Sequence, residues 1–169
     1  MSLEQPEPQV SSRAASPDDL EFLWRMVQLA ASSGNPERYA MDELRRDPRV
    51  ASYLEAWTER NAFGIVLEDQ GVPVGAAWCS FAGSDAEIYG FVGAEIPVMA
   101  IALEPSYRNM HLGRGMLREL MSLARSRGHR SMSLEVNADN PRGRHLYESM
   151  GFVQVRIQPD GAAVMLANL

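Results

Sequence analysis

The chain has 169 residues, 46% apolar and 22% charged, with a net charge of −6, which places it among ordinary soluble globular domains. Its single cysteine, Cys79, excludes an internal disulfide, and no Cys/His cluster has zinc-ligand spacing, so no metal is expected. Apolar runs stop well short of the ~20 residues a membrane span needs, and MSLEQPEPQ lacks the basic end and apolar core of a signal peptide.

The lone thiol fits a reducing cytoplasm. The acidic balance argues against general nucleic-acid binding but hides a division along the chain. Residues 1–103 carry 7 Arg against 16 Asp and Glu, whereas residues 104–169 carry 9 Arg against 6. The first part suits a cationic ligand and the second an anionic one. All sixteen basic residues are Arg, so the protein has no lysine of its own to acetylate.

Residues 1–8, with Pro6 and Pro8, read as a flexible lead-in to a single domain over 9–169. A short strand is expected at Gln9–Ala15. Ser16-Pro17-Asp18-Asp19 has the marks of a helix start, with Ser16 as cap, proline first and acids at the positive dipole end. Leu20, Leu23, Trp24 and Val27 then form one apolar face, and Gly34-Asn35-Pro36 ends the helix. Two further helices are expected over Pro36–Arg46 and Asp47–Arg60, the second with Val50, Tyr53, Leu54 and Trp57 at helical spacing.

After Asn61 the period becomes that of strands: Ala62–Leu67, a turn at Glu68–Gly71, then Pro73–Phe81, which together read as a hairpin. Residues 82–94, rich in Gly and Ala with two acids, read as a loop. Ile96–Leu103 is the near-continuous apolar run of a strand covered on both faces. A helix is expected at Leu112–Arg127, with Met116, Leu117, Leu120, Met121, Leu123 and Ala124 as its buried stripe and Gly128 as its stop. Ser131–Val136 is the next strand. Asn140-Pro141 opens a short helix reaching Met150, and Phe152–Ile157 and Ala163–Leu166 form a last hairpin about Pro159-Asp160-Gly161. This order predicts a mixed sheet with helices packed on it, of α/β or α+β class.

The richest stretch runs from Leu103 through Arg108-Asn109-Met110-His111-Leu112 to Gly113-Arg114-Gly115, where a buried strand passes through a polar loop into a helix. Such a junction is an anion site. The first helical turn offers free N–H groups and the positive dipole end, Gly113 and Gly115 allow close approach, and Arg108 and Arg114 add charge. It is not a P-loop, because the Gly-Lys-Ser/Thr ending is missing, and the three spaced glycines of a dinucleotide fold are absent.

Arg108-x-x-His111-x-Gly113, followed by Asn140 and Leu146-Tyr147-x-x-x-Gly151-Phe152, resembles the GNAT superfamily of acetyl-CoA-dependent N-acetyltransferases. The first segment is similar to the family's Arg/Gln-x-x-Gly-x-Gly/Ala loop, and the second to its Asn-x-x-Ala-x-x-Leu-Tyr-x-x-x-Gly-Phe segment. It departs at His111, which stands where the family has its middle glycine, and at Asn109, another frequent glycine. A side chain there costs on the order of 1 kcal/mol if the backbone must take a positive φ.

The resemblance implies a central mixed, mostly antiparallel sheet of six to seven strands with helices on both faces. It implies acetyl-CoA as acyl donor, with the pantetheine arm along Ile101, Ala102 and Leu103. The phosphates would lie at Arg108, Asn109, Met110, His111, Leu112, Gly113 and Arg114, with Asn140 and Tyr147 completing the cofactor-binding set. Tyr147 carries over as the general acid that protonates the departing CoA thiolate. The activity implied is acetylation of a primary amine of a small molecule or peptide by direct attack in a ternary complex.

Glu95, at the start of the central strand, is the candidate general base, since strand alternation puts it on the face of Pro97, Met99, Ile101 and Leu103. Asp85, Glu87 and Tyr89 are candidates for recognising the acceptor, and the acidic first half favours a cationic one. The alternative is a non-catalytic acyl-CoA-binding or regulatory module. No nucleic-acid or membrane partner is expected, and the hairpin edges near the C-terminus allow a homodimer. Cys79 reads as a small buried hydrophobe.

Overall fold

Strand β1 (Val10–Ala14) starts an antiparallel run that continues through β2 (Phe63–Asp69) and β3 (Val72–Ser80) to β4 (Val98–Leu103). The molecule is described by a computed structural model over residues 7–33, 35–55, 57, 62–81 and 88–169. Strand β5 (Ser131–Val136) lies parallel to β4, and the hairpin of β6 (Val153–Ile157) and β7 (Ala163–Asn168) completes a seven-stranded sheet of order β1-β2-β3-β4-β5-β7-β6. This is the mixed, mostly antiparallel sheet expected, with helices on both faces.

One face is covered by α4 (Leu112–Ser126) and the other by α1 (Leu20–Ala31), α2 (Met41–Arg46) and α3 (Pro48–Glu55). Strand alternation separates two cores. Phe63, Ile65, Met99, Met132 and Leu134 pack with Leu117 and Leu120 of α4, while Val66, Ala76 and Trp78 pack with Leu23, Met26 and Leu54. Arg13 ties the two layers by a fork to Asp19 at 2.8 Å and to Glu68 at 2.7 Å. The guanidinium holds the Asp19 carboxyl below its ordinary range.

The structure revises several boundaries. The helix expected from Pro36 begins at Met41, because the Asn35 side chain accepts the Glu37 N–H at 3.0 Å and makes a local turn, while Glu43 accepts the Ala40 N–H at 3.0 Å and caps the helix. The first hairpin turn is the two residues Gln70 and Gly71, not four, both at positive φ (50° and 82°), which matches the twist of the strands. Strand β4 begins at Val98, after a turn in which the Ile96 N–H bonds the Gly93 carbonyl at 3.1 Å. Among the described residues no helix is long and apolar enough to cross a membrane, and no three His, Cys, Asp or Glu side chains group as a metal site. The lead-in over residues 1–6, the end of the helix expected to reach Arg60, and Asp85 and Glu87 lie outside the described residues.

Candidate active site

Strands β4 and β5 pair at one position, Val98 with Ser133, where the Ser133 N–H donates to the Pro97 carbonyl at 3.0 Å. Beyond it they part, and among the described residues the edge of β4 facing β5 has no strand partner from Met99 to Leu103. Backbone groups there need partners from elsewhere. At the point of parting the Ser133 hydroxyl is fully buried with no hydrogen-bond partner, a condition worth roughly 1–3 kcal/mol to relieve.

The open edge leads into the loop before α4. Asn109 (φ 63°) and His111 (φ 58°) both take the left-handed conformation, and His111 is the N-cap of α4 without capping it through its side chain. The first-turn N–H groups of α4 thus point outward at the positive end of a fifteen-residue helix. A Cβ on Gly115 would meet nothing within 4 Å, and one on Gly113 only the Leu146 side chain at 3.4 Å. The main chain is open to an anion here, as acyl-donor phosphates would require. The backbone therefore has the shape that glycines would favour, and His111 carries the strain. Replacing His111 with Gly is expected to raise the free energy of unfolding by up to about 1 kcal/mol, and with Val to lower it, as denaturant melts would measure.

The second segment folds against the first. Helix α5 (Pro141–Ser149) is capped by Asn140, whose Oδ1 accepts the Gly143 N–H at 3.0 Å. Arg114 donates to the Ser149 hydroxyl at 2.8 Å, which fastens the start of α4 to α5. The guanidinium of Arg108 reaches back to the Leu103 carbonyl at 3.5 Å. Tyr147 packs edge-on to Phe152, with ring centres 6.0 Å apart, and burial pushes its phenol up to about 12. Ile101, Ala102 and Leu103 are half-buried along the open edge, Leu112 is half-buried, and Met110 is exposed.

Glu95 falls elsewhere. It is exposed in the turn before β4 and lines a cavity of about 820 Å³ with Phe81, Arg127, His129 and Arg130, at the end of β4 opposite the 104–111 loop. The alternation that was to align it with Met99, Ile101 and Leu103 does not reach it, and those three side chains face the α4 core. His129 stacks against Phe63 there, and burial beside Arg127 lowers its pKa.

Another carboxylate lies on β5, two residues past the point of parting. Glu135 shares the face of Ser133 on β5, and its Oε2 accepts from the Gly90 N–H and from Gln158 Nε2, both at 3.1 Å. Gly90 sits at φ +84° so close that a Cβ would be 2.8 Å from the Leu134 carbonyl carbon and 2.9 Å from the Glu135 nitrogen. Tyr53 donates to the Tyr89 carbonyl at 2.8 Å, and burial together with the nearby Glu135 charge pushes its phenol up. Tyr53, Tyr89 and Glu135 are thus linked through the Tyr89–Gly90 stretch. The sequence reading passed over Glu135. Its signal was an acid inside the otherwise mostly apolar strand Ser131–Val136.

Comparison with known proteins agrees with this architecture. The profile of the acetyltransferase (GNAT) family matches residues 24–152. A mycothiol acetyltransferase from Cellulomonas flavigena is 25% identical over 151 residues, covering 89% of this chain and 42% of that protein. The ribosomal protein bS18 alanine N-acetyltransferase of Escherichia coli K12 is 38% identical over 64 residues, 38% of this chain and 43% of that protein. The matched segments cover less than half the length of these curated relatives. The crystal structure of the PaiA N-acetyltransferase from Thermoplasma acidophilum in complex with coenzyme A superposes with a TM-score of 0.69 at 15% identity, covering 95% of this chain and 99% of that one. With the profile spanning most of its length and the sheet parting where the two motifs meet, the chain belongs to the GNAT acetyltransferase family.

Proposed function

We propose that the protein transfers the acetyl group of acetyl-CoA to a primary amine of a small molecule or peptide, by direct attack within a ternary complex. The observation that carries this reading is the open edge of β4, which begins beside Ser133 and Glu135 on β5 and leads to the exposed start of α4, to which α5 with Tyr147 is fastened. Acetyl-CoA supplies the activated thioester, and its amides and phosphates match what this edge and helix start offer. Backbone groups of Ile101, Ala102 and Leu103 pair with an extended amide chain, while α4 N–H groups and Arg108 meet phosphate charge.

The chemistry then falls to two side chains. Glu135, with Oε2 already held by Gly90 and Gln158, accepts the proton of the incoming ammonium at its remaining oxygen. The freed nitrogen lone pair forms the N–C bond, the C–S bond breaks, Tyr147 passes its phenolic proton to the departing thiolate, and the second proton lost by the acylated nitrogen returns the phenolate to the phenol. A phenol held at about 12 stays protonated at neutral pH and so remains able to donate. A β4 backbone N–H directed at the thioester oxygen stabilises the negative charge that grows there.

Calorimetric titration with acetyl-CoA, beside CoA and ATP, tests the donor. Saturable binding of both CoA compounds with ATP excluded is the expected result. Absence of acetyl-CoA binding would overturn the reading, and a radiolabelled acetyl-transfer assay over a panel of primary amines tests the chemistry directly.

A further inference from the structure

Arg49, the second residue of α3, has no part in the chemistry above. Its guanidinium carbon lies 3.9 Å from the centre of the Tyr89 ring, and its Nε is buried without a hydrogen-bond partner. Five other arginines, Arg13, Arg25, Arg38, Arg45 and Arg144, are matched to carboxylates at 2.5–3.0 Å. Arg49 enters none of the ion pairs among the described residues.

Among the described residues two carboxylates adjoin this stretch, Asp47 and Glu135, and both are engaged. Asp47 Oδ1 accepts the backbone N–H of Arg49 at 2.9 Å, and Asp47 Oδ2 lies 3.5 Å from the Tyr89 hydroxyl. Glu135 is held by the residue after Tyr89, through the Gly90 N–H. The stretch Tyr89–Gly90 therefore has a cation outside every ion pair of the described residues stacked on its first residue and the proton-accepting carboxylate bonded to its second. A planar guanidinium, here with an unpartnered Nε, suits a carboxylate, which accepts two parallel hydrogen bonds.

We propose that Arg49 recognises a carboxylate on the acceptor, so that the substrate is an amino carboxylate with its amino group at Glu135 and its carboxylate on the Arg49 fork. This rests on the reading of Glu135 and the β4–β5 opening as the place of transfer. It refines the expectation of a cationic acceptor: the amine is cationic, and the molecule as a whole is a zwitterion. A compound with the same amine and a neutral amide in place of the carboxylate leaves the guanidinium unmatched.

The probes are the ω-amino carboxylates from glycine to 6-aminohexanoate and their carboxamides, titrated calorimetrically into the CoA-saturated protein. At least one acid is expected to bind about tenfold or more tightly than its amide. Arg49→Gln should erase that difference, and Arg49→Lys, which keeps the charge but loses the fork, should restore part of it. Thermal melts show whether each variant is folded. If Arg49→Gln unfolds, a clear narrowing of the acid-to-amide ratio in Arg49→Lys carries the same information. The proposal is overturned if no acid is preferred over its amide, or if the preference is unchanged in the folded variants. Transfer of labelled acetyl to simple alkylamines tests the enzymatic reading separately. Acid preference without any transfer would leave the carboxylate site standing and remove the enzyme.

Discussion

Replacing Tyr147 with Phe is expected to lower kcat by about 10²- to 10³-fold while leaving acetyl-CoA affinity nearly unchanged. The ring packs against Phe152 through its apolar edge, and Phe preserves that contact. Only the proton for the leaving thiolate is removed. The loss should therefore appear in single-turnover rates and shrink with acyl donors whose thiol is more acidic, since a better leaving group needs less protonation. A non-catalytic acyl-CoA-binding module has no turnover to lose, so the same variant separates the two readings. Because the phenol lies at about 12, no alkaline limb of the wild-type pH profile below about pH 11 is assigned to Tyr147.

Glu135→Gln is expected to reduce kcat/KM at neutral pH by about 10²-fold. Glutamine keeps a carbonyl oxygen for the Gly90 N–H, so the loop that packs on β5 retains its anchor and the effect isolates proton acceptance. The pH dependence gives the sharper signature. Without an internal acceptor only the amine already deprotonated in solution reacts, so log kcat/KM should rise with unit slope up to the pKa of the amine, and the variant should approach wild type at high pH. A flat profile parallel to that of wild type would remove Glu135 from the chemistry.

The elements were legible where period and punctuation agreed. The stripe from Met116 to Ala124 with Gly128 behind it, and Asn140-Pro141 before α5, gave boundaries within a residue or two of those observed. Residues 36–40 were misread as helix because composition alone does not reveal that the Asn35 side chain competes for backbone donors. The positive φ at Asn109 and His111 was readable only through the glycines they replace, since neither residue announces a left-handed backbone by itself. Glu95 was favoured from a strand two residues too long, and a start at Val98 leaves it in a turn. Glu135 escaped for a different reason. Its importance comes from Gly90 and Gln158, 45 and 23 residues away in sequence, and no local pattern predicts that convergence.

The single bridge between β4 and β5 also divides the chain for folding. Strands β1 to β4 are drawn from residues 10–103 and β5 to β7 from residues 131–168, so each block of the sheet is built from sequence neighbours, with α4 packed mainly on the first. Pairing at one residue position transmits almost no register from one block to the other. The blocks are therefore suited to act as separate cooperative units in native-state hydrogen exchange. The seam between them is expected to exchange ahead of either block.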